Sequence, residues 1–245
     1  MINIAIILAA GKGNRMGNTL PKQLIKVKNK TILEYSIDAF EKHKDIDEIA
    51  VIANKDYIED IRNIVGKAGY IKVRHITEGG DERYLSTLAA LNLYKKMNCN
   101  LIIHDSVRPL ISQRIISDII SALENYDAAS VAIPVTNTIL QSDSKGNFIE
   151  QTLDRSLLFS CQTPQAFKSE ILRDAFHMAI LNKYTKATDD CGIVMHFYPG
   201  TKIKIVQGDT KNIKITFPED IIAMENYMET PLETDVETDV EHNNN

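Results

Sequence analysis

The chain has 245 residues, of which 44% are hydrophobic and 25% charged, so it is long enough for one large domain with a sizeable core. The formal net charge is −5, and no basic stripe of the kind that binds nucleic acid is present in the sequence. The three cysteines are scattered and form no C-x-x-C motif, which favours reduced thiols in the cytoplasm over a disulfide framework or a zinc site. The apolar runs are too short to predict a membrane span, and the N-terminus does not have the pattern of a signal peptide.

The acidic charge is concentrated at the C-terminus. Residues 229–245 contain six acidic residues and no Lys or Arg, and removing them takes the net charge from −5 to +1. This segment has few apolar residues and one sign of charge, which predicts a disordered tail. We therefore expect one folded domain over residues 1–228, whose overall charge does not disfavour an anionic substrate.

Short apolar runs alternate with amphipathic segments through the first half of the chain. The predicted strands are residues 2–8, 48–53, 100–104 and 128–135, and the predicted helices are residues 32–43, 57–65, 82–97 and 112–124. This alternation predicts an α/β fold, a Rossmann-like, mostly parallel sheet flanked by helices on both faces. Ligands of such sheets bind beyond the carboxyl ends of the strands.

The pattern changes between residues 136 and 160. Two short segments, 138–141 and 148–153, flank a polar turn, which predicts a β-hairpin that leaves the sheet as an arm. The apolar positions of this arm need a surface to bury them, and we expect a second subunit to supply it. The alternative is a hairpin that folds back on its own domain.

The rest of the chain completes the predicted fold. Thr163-Pro164-Gln165 predicts a rigid turn after the arm. A helix at 168–181, strands at 203–206 and 213–216, and a helix at 218–228 follow.

A glycine-rich loop directly follows the first predicted strand. It reads L-A-A-G-K-G-N-R-M-G over residues 8–17, and Pro21-Lys22-Gln23 comes shortly after it. The spacing matches neither the Walker A loop nor the dinucleotide fingerprint. Backbone amides near glycines, together with the cations Lys12, Arg15 and Lys22, suit a polyphosphate whose charge must be neutralised during a reaction.

A glycine pair, Gly79-Gly80, precedes the helix predicted at residues 82–97. In Gly79-Gly80-Asp81-Glu82-Arg83, the backbone groups, Asp81 and Ser86 one turn later have the polarity to recognise the edge of a base. The alternative is an ordinary helix start with Asp81 as its N-cap.

Three further polar residues lie near predicted strand ends. In H-D-S-V-R-P, Asp105 suits a substrate hydroxyl or a hydrated metal, and Arg108 suits a phosphate. The alternative is an internal Asp–Arg pair that shapes a turn. Lys214 alternates with two isoleucines and faces either a ligand or solvent. We interpret His104 as a core histidine rather than a catalyst.

This set of cations and backbone amides fits a reaction at phosphate. A phosphomonoester is largely deprotonated near neutral pH, so its attack on another phosphate needs no strong general base. Catalysis then requires alignment of two anions and neutralisation of their charge by Lys, Arg and Mg²⁺.

Together, the motifs resemble the sugar-phosphate cytidylyltransferases. The matching segments are L-A-A-G-K-G-N-R-M-G, P-K-Q, G-G-D-E-R, H-D-S-V-R-P, Q-T-P-Q-A-F, the T-D-D at 188–190 and N-I-K-I-T-x-P-E-D, in the family's order from residue 4 to about residue 228. The resemblance implies one nucleotidyltransferase domain that uses CTP, a polyol phosphate and Mg²⁺. It also implies a homodimer whose arms complete each other's sites.

The resemblance also assigns expected roles by position. The residues expected around the nucleotide are Ala9, Ala10, Gly11, Gly13, Gly80, Asp81 and Ser86. Arg15, Lys22 and Lys214 are the expected catalytic cations, and Asp105 and Arg108 the expected contacts to the polyol phosphate. Thr138 and Arg155 are expected to enter from the partner subunit. Mg²⁺ is expected to be held mainly by phosphates, with Asp105 as a candidate contact through water.

Two branches of this family differ in their substrate, and Ser106 and Cys191 favour D-ribitol 5-phosphate over 2-C-methyl-D-erythritol 4-phosphate. Two other classes remain as alternatives. A nicotinamide-dependent oxidoreductase would leave Arg15 and Lys22 unexplained, and a non-catalytic nucleotide sensor would not need the intact cations.

Overall fold

A computed structural model describes residues 1–11, 20–184 and 187–229 of the chain. The strands are Asn3–Ala9 (β1), Lys26–Val27 (β2), Lys30–Thr31 (β3), Glu48–Ala53 (β4), Val73–Glu78 (β5), Asn100–Asp105 (β6), Ala128–Pro134 (β7), Leu140–Ser142 (β8), Ile149–Thr152 (β9), Phe159–Lys168 (β10) and Ile203–Gln207 (β11). The helices are Ile32–Glu41 (α1), Ile58–Ala68 (α2), Arg83–Leu93 (α3), Gln113–Asn125 (α4), Ser169–Leu181 (α5), Asp190–Phe197 (α6) and Pro218–Glu229 (α7). The predicted tail, apart from Glu229, lies outside the described residues.

A seven-stranded sheet forms the centre of the molecule, in the order β11-β7-β10-β6-β1-β4-β5. Neighbouring strands are parallel except at β10, which is antiparallel to both β6 and β7. The predicted α/β fold with a mostly parallel sheet is therefore confirmed.

Strand β1, in the interior of the sheet, is buried on both faces. Ile4 and Ile6 pack into one core, and Ala5 and Ile7 into the other. Successive side chains of a strand point to opposite faces, so a strand covered by helices on both sides reads as a continuous apolar run. Because β1 runs parallel to both of its neighbours, β4 and β6, its C-terminal end lies at the same edge of the sheet as theirs.

Polar caps set the start of several helices. At α1, the Thr31 hydroxyl accepts from the Glu34 amide at 3.2 Å, and the Glu34 carboxylate accepts from the Thr31 amide at 2.7 Å. At α4, the Ser112 hydroxyl accepts from the Ile115 amide at 3.3 Å. Such caps satisfy amides that have no partner within the helix, which explains why these helices begin close to the predicted residues.

The structure corrects two predictions and adds five strands and helices. Thr163-Pro164-Gln165 lies within β10 and not in a turn, and the register with β7 shifts between Cys161 and Gln165. This shift accommodates a proline, which lacks the amide that a regular ladder requires. Residues 213–216 form no strand, although the Ile215 amide still donates to the Val107 carbonyl at 2.8 Å. The strands β2, β3, β5 and β10 and the helix α6 were not predicted.

The predicted hairpin is present. Strands β8 and β9 form a separate two-stranded antiparallel sheet, and all of their residues are exposed. Of the three free cysteines, Cys99 and Cys191 are buried, as expected for packed thiols, whereas Cys161 is exposed. None of the described helices is long and apolar enough to cross a membrane.

Candidate active site

A cavity of about 440 Å³ opens where β1, β6 and the start of α3 meet. Eight of the predicted site residues line it: Ala10, Gly11, Lys22, Gly80, Asp81, Ser86, Asp105 and Lys214. Four further polar residues line it that were not predicted to be catalytic or binding residues: Gln23, Glu82, Arg83 and Ser106. The cavity lies at the carboxyl ends of β1 and β6, which is the location expected for ligands of a parallel sheet.

Gln23 holds the start of the glycine loop. Its side-chain amide donates to the Ala9 carbonyl at 2.7 Å and to the Gly11 carbonyl at 3.0 Å. Ala9 itself is buried and does not line the cavity, whereas a Cβ atom at Gly11 would have no atom of the described residues within 4 Å. Lys22, next to Gln23, is only 8% exposed although it borders the cavity. The loop predictions Gly13 and Arg15, together with Lys12, lie outside the described residues.

The glycine pair Gly79-Gly80 brings Ala10, at the start of the glycine loop, and α3 into close contact. A Cβ atom at Gly79 would lie 2.7 Å from the Ser86 hydroxyl and 2.8 Å from the Ala10 Cβ, so only glycine fits there. Ser86 is buried, and its hydroxyl donates to the Gly80 carbonyl at 3.4 Å. The alternative reading of Asp81 as an N-cap is wrong, because the N-cap of α3 is Glu82, which makes no side-chain capping bond.

Asp105 is paired with two cations. Its Oδ2 accepts from the Lys214 ammonium at 2.7 Å, and its Oδ1 accepts from the Arg83 Nε at 3.3 Å. Burial alone would raise the pKa of the Asp105 carboxyl, but Arg83 and Lys214 outweigh it and hold the pKa well below its usual range. Asp105 is therefore a carboxylate at neutral pH, and the functional reading of Lys214 as a cation that faces the cavity fits its position.

Arg83 connects this pair to a second, fully buried carboxylate. Its Nη1 donates to the Asp190 Oδ2 at 2.6 Å. The α6 N-terminus that carries Asp190 is also held by Gln165, whose side-chain oxygen accepts from the Asp190 amide at 3.2 Å. Arg83, Asp190 and Gln165 were missed as functional candidates, although each lies in a motif that carried the family resemblance. Their presence in those motifs was the signal in the sequence that could have identified them.

His104 is a core histidine, as predicted. It has no exposed surface, and burial lowers the pKa of its imidazole to about 4. The Nε2 lies 3.0 Å from the Arg108 carbonyl, and the Nδ1 lies 3.0 Å from the Thr163 hydroxyl, which also accepts from the Asp105 amide at 3.1 Å. Because a carbonyl only accepts, the neutral ring carries its hydrogen on Nε2, and Thr163 donates to Nδ1.

Arg108 does not line the cavity. Its guanidinium donates to the Asn212 carbonyl at 2.8 Å and to the Cys161 carbonyl at 3.4 Å. These contacts join the turn after β6 to the segment that precedes Lys214 and to strand β10. A phosphate contact by Arg108 stays a prediction, as do the roles of the other site residues.

Thr138 and Arg155 lie away from the cavity of their own chain. Both are exposed, and the Arg155 guanidinium donates to the Thr136 carbonyl at 3.0 Å at the base of the arm. Asp154, the preceding residue, caps the short 3-10 helix Arg155–Leu157 by accepting from the Ser156 amide at 3.0 Å. The intramolecular site is therefore built without them.

Asp105 is poorly suited to bind a metal ion directly. Both of its oxygens already accept from cations, and the described part of the chain contains no cluster of three or more His, Cys, Asp or Glu side chains able to hold a metal. Magnesium usually keeps several waters and binds through substrate phosphates, which is the arrangement the sequence predicted.

Comparisons with known proteins place the chain in a family. Residues 3–230 match the family model described as IspD, 2-C-methyl-D-erythritol 4-phosphate cytidylyltransferase. A 2-C-methyl-D-erythritol 4-phosphate cytidylyltransferase from Thermobifida fusca (strain YX) is 37% identical over 231 residues, covering 92% of this chain and 93% of that protein.

A second relative has a different description. The bifunctional ribulose 5-phosphate reductase/CDP-ribitol pyrophosphorylase Bcs1 of Haemophilus influenzae is 39% identical over 234 residues. The match covers 93% of this chain and 48% of that protein, so the chain spans about half the length of this relative.

The fold comparison agrees with the family. The crystal structure of 4-diphosphocytidyl-2C-methyl-D-erythritol synthase from Anaerococcus prevotii superposes with a TM-score of 0.82 at 31% identity, covering 94% of this chain and 96% of that one. The resemblance to sugar-phosphate cytidylyltransferases, and with it the prediction of a nucleotidyltransferase, is confirmed. The chain belongs to the 2-C-methyl-D-erythritol 4-phosphate cytidylyltransferase family.

Proposed function

We propose that this protein transfers CMP from CTP to 2-C-methyl-D-erythritol 4-phosphate and releases pyrophosphate. The observation that carries the proposal is the cavity in which the start of the glycine loop (Ala10 and Gly11), Lys22 and Lys214 converge, in a chain that matches the family model over nearly its whole length. The match to the model and to the Thermobifida fusca relative supports methylerythritol over the ribitol substrate that Ser106 and Cys191 favoured.

In the proposed reaction, a phosphate oxygen of the polyol phosphate attacks the α-phosphorus of CTP. A bond forms between them, the bond from the α-phosphorus to the bridging oxygen breaks, and pyrophosphate leaves with that electron pair. Lys22 is placed to neutralise charge on the phosphates within the cavity, where a fixed cation is worth more than in water. Lys214 exchanges its Asp105 partner for a substrate oxygen, while Asp105 keeps Arg83.

Ribitol 5-phosphate is the second candidate substrate. The Haemophilus influenzae relative, whose description includes CDP-ribitol pyrophosphorylase, supports it. Of the two residues that favoured ribitol, Ser106 lines the cavity, whereas Cys191 is buried in a core cluster. Ser106 is therefore the one of the two that is in a position to affect substrate choice directly.

Turnover with the two polyol phosphates tests the proposal. We expect pyrophosphate release and a CDP-polyol product with methylerythritol 4-phosphate, at a higher kcat/KM than with ribitol 5-phosphate. The measurement is coupled pyrophosphate detection with product analysis by mass spectrometry. A higher kcat/KM with ribitol 5-phosphate would select the second candidate, and absence of transfer to either acceptor would reject the proposed function.

Base choice is a separate prediction. CTP should be used at least about tenfold better than UTP, because a site that pairs with the polar edge of one base leaves buried groups unsatisfied with another. Ser86→Ala should reduce this preference, since Ser86 is a buried polar group at the glycine pair. Equal kcat/KM values for CTP and UTP in the unmodified protein would contradict the assignment of residues 80–86 to the base.

We propose Mg²⁺ as the metal of the reaction, held by the phosphates of CTP. The ion would supply further neutralisation of the triphosphate charge when bound. The pairing of both Asp105 oxygens supports contact through water rather than direct coordination.

A homodimer through the arm is the proposed assembly. The arm and its base expose five large apolar side chains: Leu140, Phe148, Ile149, Leu157 and Phe159. Contiguous exposed apolar surface in a folded protein is typical of an interaction site. Thr138 and Arg155 lie on this same segment, which supports their predicted role in a neighbouring subunit's site.

A further inference from the structure

Asp190 is a buried charge for which the proposed reaction has no direct use. It has no exposed surface and does not line the cavity. Burial raises the pKa of its carboxyl, and the Arg83 guanidinium opposes this effect. Burying a carboxylate costs free energy of folding unless the group is paired and hydrogen-bonded. A buried carboxylate at the first turn of α6 therefore indicates a specific function.

Arg83 lies between two carboxylates that belong to different parts of the fold. Its Nη1 is 2.6 Å from Asp190 and its Nε is 3.3 Å from the Oδ1 of Asp105. The Arg83 side chain is 25% exposed and borders the cavity, so it is the only described cation that contacts both the site and the buried Asp190.

The two oxygens of Asp105 have separate partners. Oδ1 accepts a hydrogen bond from Arg83, and Oδ2 accepts one from Lys214 at 2.7 Å. The Lys214 side chain is 41% exposed. A guanidinium that is not otherwise held prefers to bind a carboxylate through two parallel hydrogen bonds. Such a fork on Asp105 would occupy both oxygens and compete with Lys214.

We propose that Asp190 is a positioning residue for cytidylyl transfer: it holds Arg83 so that only Nε reaches Asp105, and it thereby keeps Oδ2 for Lys214 and substrate. The inference rests on the proposed function, because it assigns Asp105 and Lys214 to the polyol-phosphate side of the cavity. It names a role for the T-D-D segment that lies outside the cavity lining.

Asp190→Asn is the first test. The change keeps side-chain volume and removes the charge that holds Nη1. We expect kcat to fall roughly tenfold or more, because a small misplacement of a group that orients the reactants has large effects on rate. The KM for CTP should stay within about twofold of that of the unmodified protein, since the substitution does not alter the glycine loop or Lys22. Asp174→Asn is the matched control: the same change at an exposed position of α5 should leave kcat within about twofold.

Arg83→Lys separates a positioning role from a purely structural one. An ammonium keeps the charge but lacks the planar fork that reaches both carboxylates, so kcat should fall by a similar factor in a folded protein. In the double variant Arg83→Lys/Asp190→Asn the two losses should not multiply, because both act on the same contact to Asp105. Losses that multiply, or single variants with kcat within twofold of the unmodified protein, would overturn the inference.

A crystal structure of the Asp190→Asn protein gives a readout that does not depend on activity. The guanidinium of Arg83 should lie on both oxygens of Asp105, and Lys214 should be displaced from Oδ2. An unmoved Arg83 would overturn the inference even if transfer occurs. If the unmodified protein transfers CMP to neither polyol phosphate, the proposed function fails, and this geometry still decides whether Asp190 positions Arg83.

Discussion

Replacing Lys22 with alanine should reduce turnover by about a hundredfold or more. The side chain borders the cavity but is only 8% exposed, so its charge acts at a site shielded from water. Removal of one fixed charge-stabilising contact from such a site typically costs two to three orders of magnitude in turnover. CTP affinity should fall much less, since an interaction made in the transition state alone lowers kcat without raising KM.

The control for this prediction is Lys26→Ala, which removes the same charge from an exposed position four residues along the chain. Its steady-state kinetics should match those of the unmodified protein. A Lys22→Ala protein with near-normal kcat and a raised KM would show that Lys22 only binds the nucleotide.

Mixing two inactive variants should restore activity if the arm enters a neighbouring subunit's site. Arg155 is exposed and does not line the cavity of its own chain, whereas Lys22 does. Arg155→Ala and Lys22→Ala should each be nearly inactive alone. A hybrid dimer contains one site with both changes and one with neither. With free subunit exchange, half of the dimers are hybrids, so activity should approach about one quarter of that of the unmodified protein.

The measurement is pyrophosphate release after mixing, with hybrid formation verified by differently tagged subunits. Verified hybrids without activity would show that the arm serves its own subunit or that both sites must be intact. A stable monomer with full activity would reject the shared site.

The parts of the fold that depend on local pattern could be predicted from the sequence. Strand β1 is buried on both faces, so it appears as an unbroken apolar run, and the capping residues Thr31 and Ser112 mark the starts of their helices. Strand β5 is only partly buried at the sheet edge, so no such run marks it. Strand β10 carries the buried polar residues Gln162, Thr163 and Gln165 and a proline, which together resemble a turn.

The candidate site also contains residues that local sequence pattern identifies and residues that only long-range contacts bring together. The residues of the glycine loop and the Asp105 turn stand next to their strands in sequence, so local pattern located them. The contact between Arg83 and Asp190 joins residues 107 positions apart, and that between Lys214 and Asp105 joins residues 109 apart. No local pattern encodes such pairs. Lys214 was found through its strand-like alternation, although the segment forms no strand.

The hydrogen bonds around His104 bear on how much the site must rearrange during turnover. The chain of donors runs in one direction, from the Asp105 amide to Thr163, from Thr163 to the imidazole, and from the imidazole to the Arg108 carbonyl. Each hydrogen bond has one defined direction, and the ring is neutral at physiological pH because burial lowers its pKa to about 4. The backbone that carries Asp105 is therefore fixed before any ligand arrives. Little reorganisation free energy at this turn adds to the activation barrier, because its dipoles are already oriented when charge develops on the phosphates.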